Sequence, residues 1–157
     1  MKASDIMTAP VITVQAHTPV REIAALLLKH RISAVPVMKD GAMAGIVSEG
    51  DLLHRHEIGT ERTDRSGSWW LWLLGTDRSI GEYVKSHARY ARDLMTREVV
   101  SVTPDTPIAE IASLLETRGI KRVPVLRGEQ LIGIVSRANL IQALAVTPPP
   151  VSKPSKR

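Results

Sequence analysis

The chain has 157 residues, of which 43% are hydrophobic and 24% charged, a globular balance that excludes wholesale disorder and supplies enough apolar surface for a core. It contains no cysteine, which excludes a disulfide framework and thiolate metal sites and suits a reducing compartment. The formal net charge of +5 is unevenly spread: Lys153, Lys156 and Arg157 sit in an acid-free tail, so the body is close to neutral and lacks the balance of a nucleic-acid-binding surface.

The opening residues Met1-Lys2-Ala3-Ser4-Asp5 lack an apolar stretch of signal-peptide length, and the apolar run Trp69 to Leu74 is far too short to cross a bilayer. These features predict a soluble, cytoplasmic protein. The dominant pattern is internal repetition: Met7 to Leu53 aligns without a gap on Met95 to Ile141, with roughly two positions in five identical.

In chain order, Val11 to Val14 and Val99 to Val102 are short β-branched runs suited to strands. Thr18-Pro19 and Thr106-Pro107 follow, predicting helix starts with threonine as N-cap and proline at the first helical position. Val20, Ile23, Ala24 and Leu27 then share one helical face, as do Ile108, Ile111, Ala112 and Leu115. Val35-Pro36-Val37-Met38 and Val123-Pro124-Val125-Leu126 read as second strands, their prolines suggesting an edge or a first position. Turns at Asp40-Gly41 and Arg127-Gly128 lead to third strands, Met43 to Val47 and Leu131 to Val135. Ser48 and Ser136 open second helices, the latter running to about Leu144. The order is β-α-β-β-α, twice, an α/β (α+β) chain. A single unit of this size is too small to bury its own faces, so the two are expected to pack as a pseudo-twofold pair.

The Thr-Pro helix start, the Ile/Val-x-x-Val-Pro segment and the closing Gly-Ile-Val-Ser-x-x-Asp/Asn motif, all duplicated, resemble cystathionine-β-synthase-type (CBS) domain pairs, in particular small stand-alone bacterial ones. The resemblance divides the chain into a first CBS domain (1–60), a Trp-containing linker (61–90), a second CBS domain (91–146) and a Pro-rich basic tail (147–157). It implies a non-enzymatic sensor that homodimerises into a disc and binds AMP, ADP, ATP or a related adenosyl ligand, with no required cofactor and an unknown protein partner.

The segments Gly45 to Asp51 and Gly133 to Asn139 admit two explanations. One is a helix cap, with serine at the N-cap and a polar residue three positions on. The other uses the same geometry for a ligand: a helix N-terminus suits a phosphate, and the family places ribose hydroxyls on the Asp/Asn position. By the resemblance, one site combines the Ile12 backbone, Ile32, Ser33 and Ala34 with Lys121, Arg122, Ile134, Ser136 and Asn139. The other combines Val100, Ile120, Lys121 and Arg122 with Ser33, Ala34, Ile46, Ser48 and Asp51. The exchange is uneven. Asp51 is the stronger ribose anchor, because an ionised carboxylate makes charge-assisted hydrogen bonds. Lys121 and Arg122 are the natural phosphate clamp, although a solvated strand lead-in explains them equally well. The Asn139 site is therefore expected to take a phosphate-bearing ligand, and the Asp51 site a nucleoside or second nucleotide.

Trp69, Trp70 and Trp72, with Leu71, Leu73 and Leu74, make the linker too apolar for an exposed loop. Packing across the pair or at a dimer contact is expected, and docking of a partner or membrane surface is the competing reading, which would make the chain a constitutive scaffold. His54 and His56 are two apart and face different sides of a helix, so with Glu57 they make a poor metal site. Catalysis has no support: there is no cysteine, no Walker-type glycine loop, and no base placed to activate Ser48 or Ser136.

Overall fold

The computed structural model describes residues 1–52 and 90–146. The Trp-rich segment, the His54/His56/Glu57 cluster and the Pro-rich tail lie outside the described residues. The chain forms two compact units that do not follow the order of the repeats: residues from Ile12 to Val100 make one, and Met1–Val11 joins the chain from Ser101 onward to make the other.

In the Ile12–Val100 unit, β1 (Val14–Gln15) leads to α2 (Val20–His30), then β2 (Ala34–Lys39) and β3 (Ala42–Ser48), with residues 49–52 beginning a further helix; α1 (Ala3–Ile6) belongs to the other unit. The sheet order is β1-β2-β3, with β1 parallel to β2 and β2 antiparallel to β3. The apolar face read from the sequence is the buried one: Val20, Ile23, Ala24 and Leu27 of α2 are all buried, and Ile23 and Leu27 join Val14, Val35, Val37 and Val47 in one core. The helix ends at Arg31, which takes the left-handed conformation at φ 52°, and its N–H closes on the carbonyls of Leu27 and Leu28.

In the other unit, α4 (Ile108–Thr117) packs on the hairpin of β4 (Arg122–Arg127) and β5 (Gln130–Ser136), followed by α5 (Arg137–Val146). Ile111, Leu115, Val123, Val125 and Val135 are fully or almost fully buried there. The helix ends one step before Gly119, which occupies the left-handed region at φ 61°. The expected first strand of this repeat shrinks to a single bridge, in which Val102 donates to the Pro124 carbonyl (3.0 Å) and accepts from Leu126 N–H (2.9 Å).

Three local expectations need correction. The threonines do not cap the helices. Pro19 and Pro107 occupy the N-cap positions, while Thr18 Oγ1 accepts from Gln15 N–H (2.9 Å) and Thr106 Oγ1 from Thr103 N–H (3.0 Å), closing the preceding turns. Pro36 and Pro124 are the third residues of their strands, not the first, and Pro36 is on the central strand of its sheet; Pro124 is on an edge strand, as expected, since β4 pairs only with β5 in its sheet. Each sits opposite an isoleucine, Ile46 or Ile134, whose own N–H and C=O are bonded elsewhere, so the missing proline donor leaves no ladder bond unmade. The second hairpin turns at Gly128-Glu129, with Arg127 still paired to Gln130.

The grouping of the units comes from a crosswise exchange of leading segments. In one unit α1 lies against the loop before α4: Ala3 N–H donates to the Thr106 carbonyl (2.8 Å) and Ser4 N–H to that of Pro104 (2.9 Å). Thr8 then exchanges two backbone bonds with Ile134, at 2.9 and 3.1 Å. In the other unit α3 (Ala91–Leu94) repeats these contacts: Ala91 and Arg92 donate to Thr18 and Ala16, and Thr96 exchanges two bonds with Ile46 at 2.9 and 3.0 Å. The segment heading each repeat thus completes the sheet edge of the other.

Candidate functional site

Strand β3 delivers its chain into a helix through Ser48, and the turn is built as a closed box. Ser48 N–H donates to Asp51 Oδ2 at 2.8 Å, Ser48 Oγ donates to the same oxygen at 3.0 Å, and Asp51 N–H returns to Ser48 Oγ at 3.3 Å. Both ends of the box answer donors that a helix start leaves without intrahelical partners. Glu49 N–H bonds the Ser33 carbonyl at 2.9 Å, and Ala34 pairs directly with Ser48. Ser33 and Ala34 are thereby held against the motif that contains Ser48 and Asp51, and Ile46 lies two residues before it on β3. Asp51 Oδ1, the carboxylate oxygen left outside the box, faces Thr96 Oγ1 at 3.5 Å.

The second motif repeats the box with an amide. Ser136 N–H and Ser136 Oγ both donate to Asn139 Oδ1, at 2.8 and 2.7 Å, and Asn139 N–H returns to Ser136 Oγ at 3.4 Å. Arg137 N–H bonds the Lys121 carbonyl at 3.1 Å, and Arg122 pairs with Ser136. Lys121 is exposed and Arg122 half-buried, so both bases border the helix start that contains Asn139, with Ile120 and Ile134 alongside. Asn139 Nδ2 donates to Thr8 Oγ1 at 3.2 Å.

Within the Ile12–Val100 unit lie Ile12, Ile32, Ser33, Ala34, Ile46, Ser48, Asp51 and also Val100, which the repeat pattern assigns to the second half; Ile120, Lys121, Arg122, Ile134, Ser136 and Asn139 lie in the other. Sequence reasoning missed the residues that the exchange brings to each motif, Thr96 beside Asp51 and Thr8 beside Asn139. It also gave no role to Gly45 and Gly133. A Cβ on Gly45 would stand 2.7 Å from the Thr96 carbonyl oxygen and 2.8 Å from Met95 Sδ, and a Cβ on Gly133 would run into Met7 Sδ. The glycines are the space through which the exchanged segments pass. A usable signal was present: Met7-Thr8 and Met95-Thr96 are identical in the two repeats, as are Gly45 and Gly133.

Among the described residues no helix is long and apolar enough to cross a membrane, and no group of three or more acidic or histidine side chains forms a metal cluster.

An uncharacterised protein of Methanocaldococcus jannaschii is 34% identical over 154 residues, covering 92% of this chain and 91% of that protein. An A-adding tRNA nucleotidyltransferase of Geobacter sulfurreducens is 29% identical over 142 residues, but the match spans only 13% of that enzyme. Among solved structures, CBSX2 in complex with AMP superposes with a TM-score of 0.70 at 26% identity, over 92% of this chain and 96% of that one. The family model for the CBS domain matches twice, at residues 3–57 and 91–146. With the duplicated Ser-x-x-Asp/Asn box and the paired hairpins that carry it, these matches establish that the chain belongs to the CBS domain family, as a tandem pair.

Proposed function

We propose that this chain is a non-enzymatic regulatory module that binds an adenine nucleotide or related adenosyl ligand and passes its occupancy to a protein partner. The observation that carries this reading is the pair of helix starts, each with a Ser-x-x-Asp/Asn box and each bordered by the strand-leading residues Ser33-Ala34 or Lys121-Arg122. A helix start offers N–H donors and the positive end of a dipole to a phosphate, and Asp51 or Asn139 offers hydrogen bonds to ribose hydroxyls. The AMP complex of CBSX2 supports the same ligand class. Neither serine is set up as a nucleophile: each hydroxyl donates to the carboxylate or amide oxygen of its own box. The sequence's lack of cysteine suits work in the cytoplasm.

The partner-facing state is proposed to be a homodimer. Ile141 and Leu144 stand one turn apart on α5 and are 67% and 71% exposed, an apolar stripe suited to a second copy of the chain. A ligand that binds one arrangement of such a dimer better than another shifts the population toward it and thereby changes affinity for a partner.

Calorimetric titration of the full chain with AMP, ADP, ATP and S-adenosylmethionine tests the ligand class; saturable heat is expected for at least one. Heat no greater than the buffer blank for all four refutes it. Sedimentation equilibrium, repeated with Ile141→Asp, tests the dimer.

A further inference from the structure

Every sulfur in this chain is a thioether: there are five methionines and no cysteine, and all five lie among the described residues. Two of them, Met7 and Met95, hold equivalent positions in the repeats and sit where the exchanged segments cross. Each joins a short helix to a threonine bridge. Met7 N–H closes α1 on the Ala3 carbonyl (2.9 Å), and the next residue, Thr8, makes both bonds to Ile134. Met95 N–H closes α3 on the Ala91 carbonyl (2.9 Å), and Thr96 makes both bonds to Ile46.

Both side chains are seated on bare backbone. Met95 Sδ and Cγ come within 2.8 and 2.9 Å of the point where a Gly45 Cβ would stand, and Met7 Sδ crowds the same point on Gly133. Met95 also packs against the apolar cluster that contains Val14, Ile23, Leu27 and Val47. On the glycine side the seat has no room for a further atom, and the polar atom closest to that point at Gly45 is the Thr96 carbonyl oxygen, an acceptor. Yet Met7 and Met95 are only half-buried, so a small solute reaches them. The other three methionines differ in place: Met38 and Met43 are cross-strand partners in the β2–β3 hairpin, and Met1 is the first residue, 62% exposed.

We propose that Met7 and Met95 are oxidation sites through which a peroxide loosens the two crossings, Met7 acting on the Thr8–Ile134 bridge and Met95 on the Thr96–Ile46 bridge. The sulfur lone pair attacks a peroxide oxygen and the O–O bond breaks. The leaving hydroxide takes the proton from the transferred oxygen to form water, so the thioether becomes a sulfoxide while the peroxide gains two electrons. A dithiol acting through methionine sulfoxide reductases reverses the change, giving a disulfide and water. The sulfoxide oxygen is a polar acceptor in a seat of apolar carbons and a carbonyl oxygen. It therefore draws the side chain off its glycine toward water, and the adjoining threonine moves with it. This sensitivity is independent of which ligand the chain binds.

The test treats the full chain, labelled with nitrogen-15 and natively folded, with hydrogen peroxide. Peptide mass spectrometry reads sulfoxide at each methionine, and hydrogen exchange reads the Ile46 and Ile134 amides, which donate to Thr96 and Thr8. Oxidation should speed exchange at both amides about tenfold or more, and the two sulfoxide reductases with a dithiol should restore the original rates. Met95→Leu should abolish the response at Ile46 alone, and Met7→Leu the response at Ile134 alone. A chain carrying norleucine at every methionine keeps the side-chain shape without sulfur, and its exchange rates should not change in peroxide. The inference is overturned if Met7 or Met95 stays unoxidised after Met1 is fully converted, or if both sulfoxides form with no change in exchange. It is equally overturned if reduction brings no recovery, or if peroxide loosens the norleucine chain as it does wild type.

Discussion

Replacing Gly45 by alanine places a methyl group where the exchanged segment passes. The new carbon would lie 2.7 Å from the Thr96 carbonyl oxygen, 2.8 Å from Met95 Sδ and 2.9 Å from Met95 Cγ, all closer than such atoms approach in folded proteins. The methionine side chain can swing aside, but the carbonyl is backbone and is bonded to Ile46 N–H at 3.0 Å. Relief therefore requires Thr96 to retreat, which also strains the reciprocal bond to the Ile46 carbonyl at 2.9 Å. Overpacking of this kind costs about 1–3 kcal/mol, and two weakened hydrogen bonds add about 1 kcal/mol each at most. Alanine in place of glycine returns about 0.5 kcal/mol through the unfolded chain. A net destabilisation of about 2 kcal/mol is expected, read as a lower urea midpoint by circular dichroism and as faster hydrogen exchange at the Ile46 amide. Gly133→Ala is the control, because there the obstacle is the Met7 side chain: Met7→Ala should relieve Gly133→Ala, whereas Met95→Ala should leave most of the Gly45→Ala loss in place. A wild-type urea midpoint for Gly45→Ala, or its full rescue by Met95→Ala, would refute the assignment of the clash to the Thr96 carbonyl.

Two further outcomes follow from the same geometry. Arg31 holds a left-handed conformation at φ 52° where the second repeat has Gly119 at φ 61°, so Arg31→Gly should raise thermal stability by about 0.5–1 kcal/mol; a fall would show that the arginine side chain contributes more than its backbone costs. The Lys2–Asp105 pair, at 2.6 Å, ties the exchanged segment to the loop before α4. Its hydrogen bond, and secondarily its charge attraction, holds the Asp105 carboxyl below its ordinary value and raises the Lys2 ammonium above its own. The depressed carboxyl contributes stability above its unfolded-state value and loses it as pH falls through the folded one. The raised ammonium contributes below its unfolded-state value and loses it as pH rises through the folded one. The stability difference between wild type and Asp105→Asn should thus be small, confined to the interval between the two groups, and erased by salt because both are solvent-exposed. A difference that persists at acidic pH or in high salt would contradict this.

The repeats, the amphipathic face of α2 and the hairpins were legible because each leaves a periodic or turn-specific mark, such as Ile23 and Leu27 one helical turn apart or Asp40-Gly41 between two β-branched runs. The Ser48-to-Asp51 and Ser136-to-Asn139 boxes were legible for a similar reason, since one spacing serves both the cap and the candidate binding surface. The exchange of leading segments was not. Each crossing meets the hairpin through a single residue bonded twice, Thr8 to Ile134 or Thr96 to Ile46, and a bridge one residue long has no period to detect. For that reason Thr8 and Thr96 escaped notice as neighbours of Asn139 and Asp51. Pro36 misled for a related reason: it looks like a strand boundary or edge until it is seen that Ile46, opposite it, spends its backbone bonds on Thr96.

The exchange also governs when each half of the protein can be finished during synthesis. The segment with Thr8 is made well before Asn139, its side-chain partner 131 positions later, so it must wait for that residue before the contact can form. In the Ile12–Val100 unit the corresponding pair, Thr96 and Asp51, is only 45 positions apart, and both lie within that unit. An order of completion is thereby written into the topology: the contacts of the Asp51 box are all available before those that join Thr8 to Asn139.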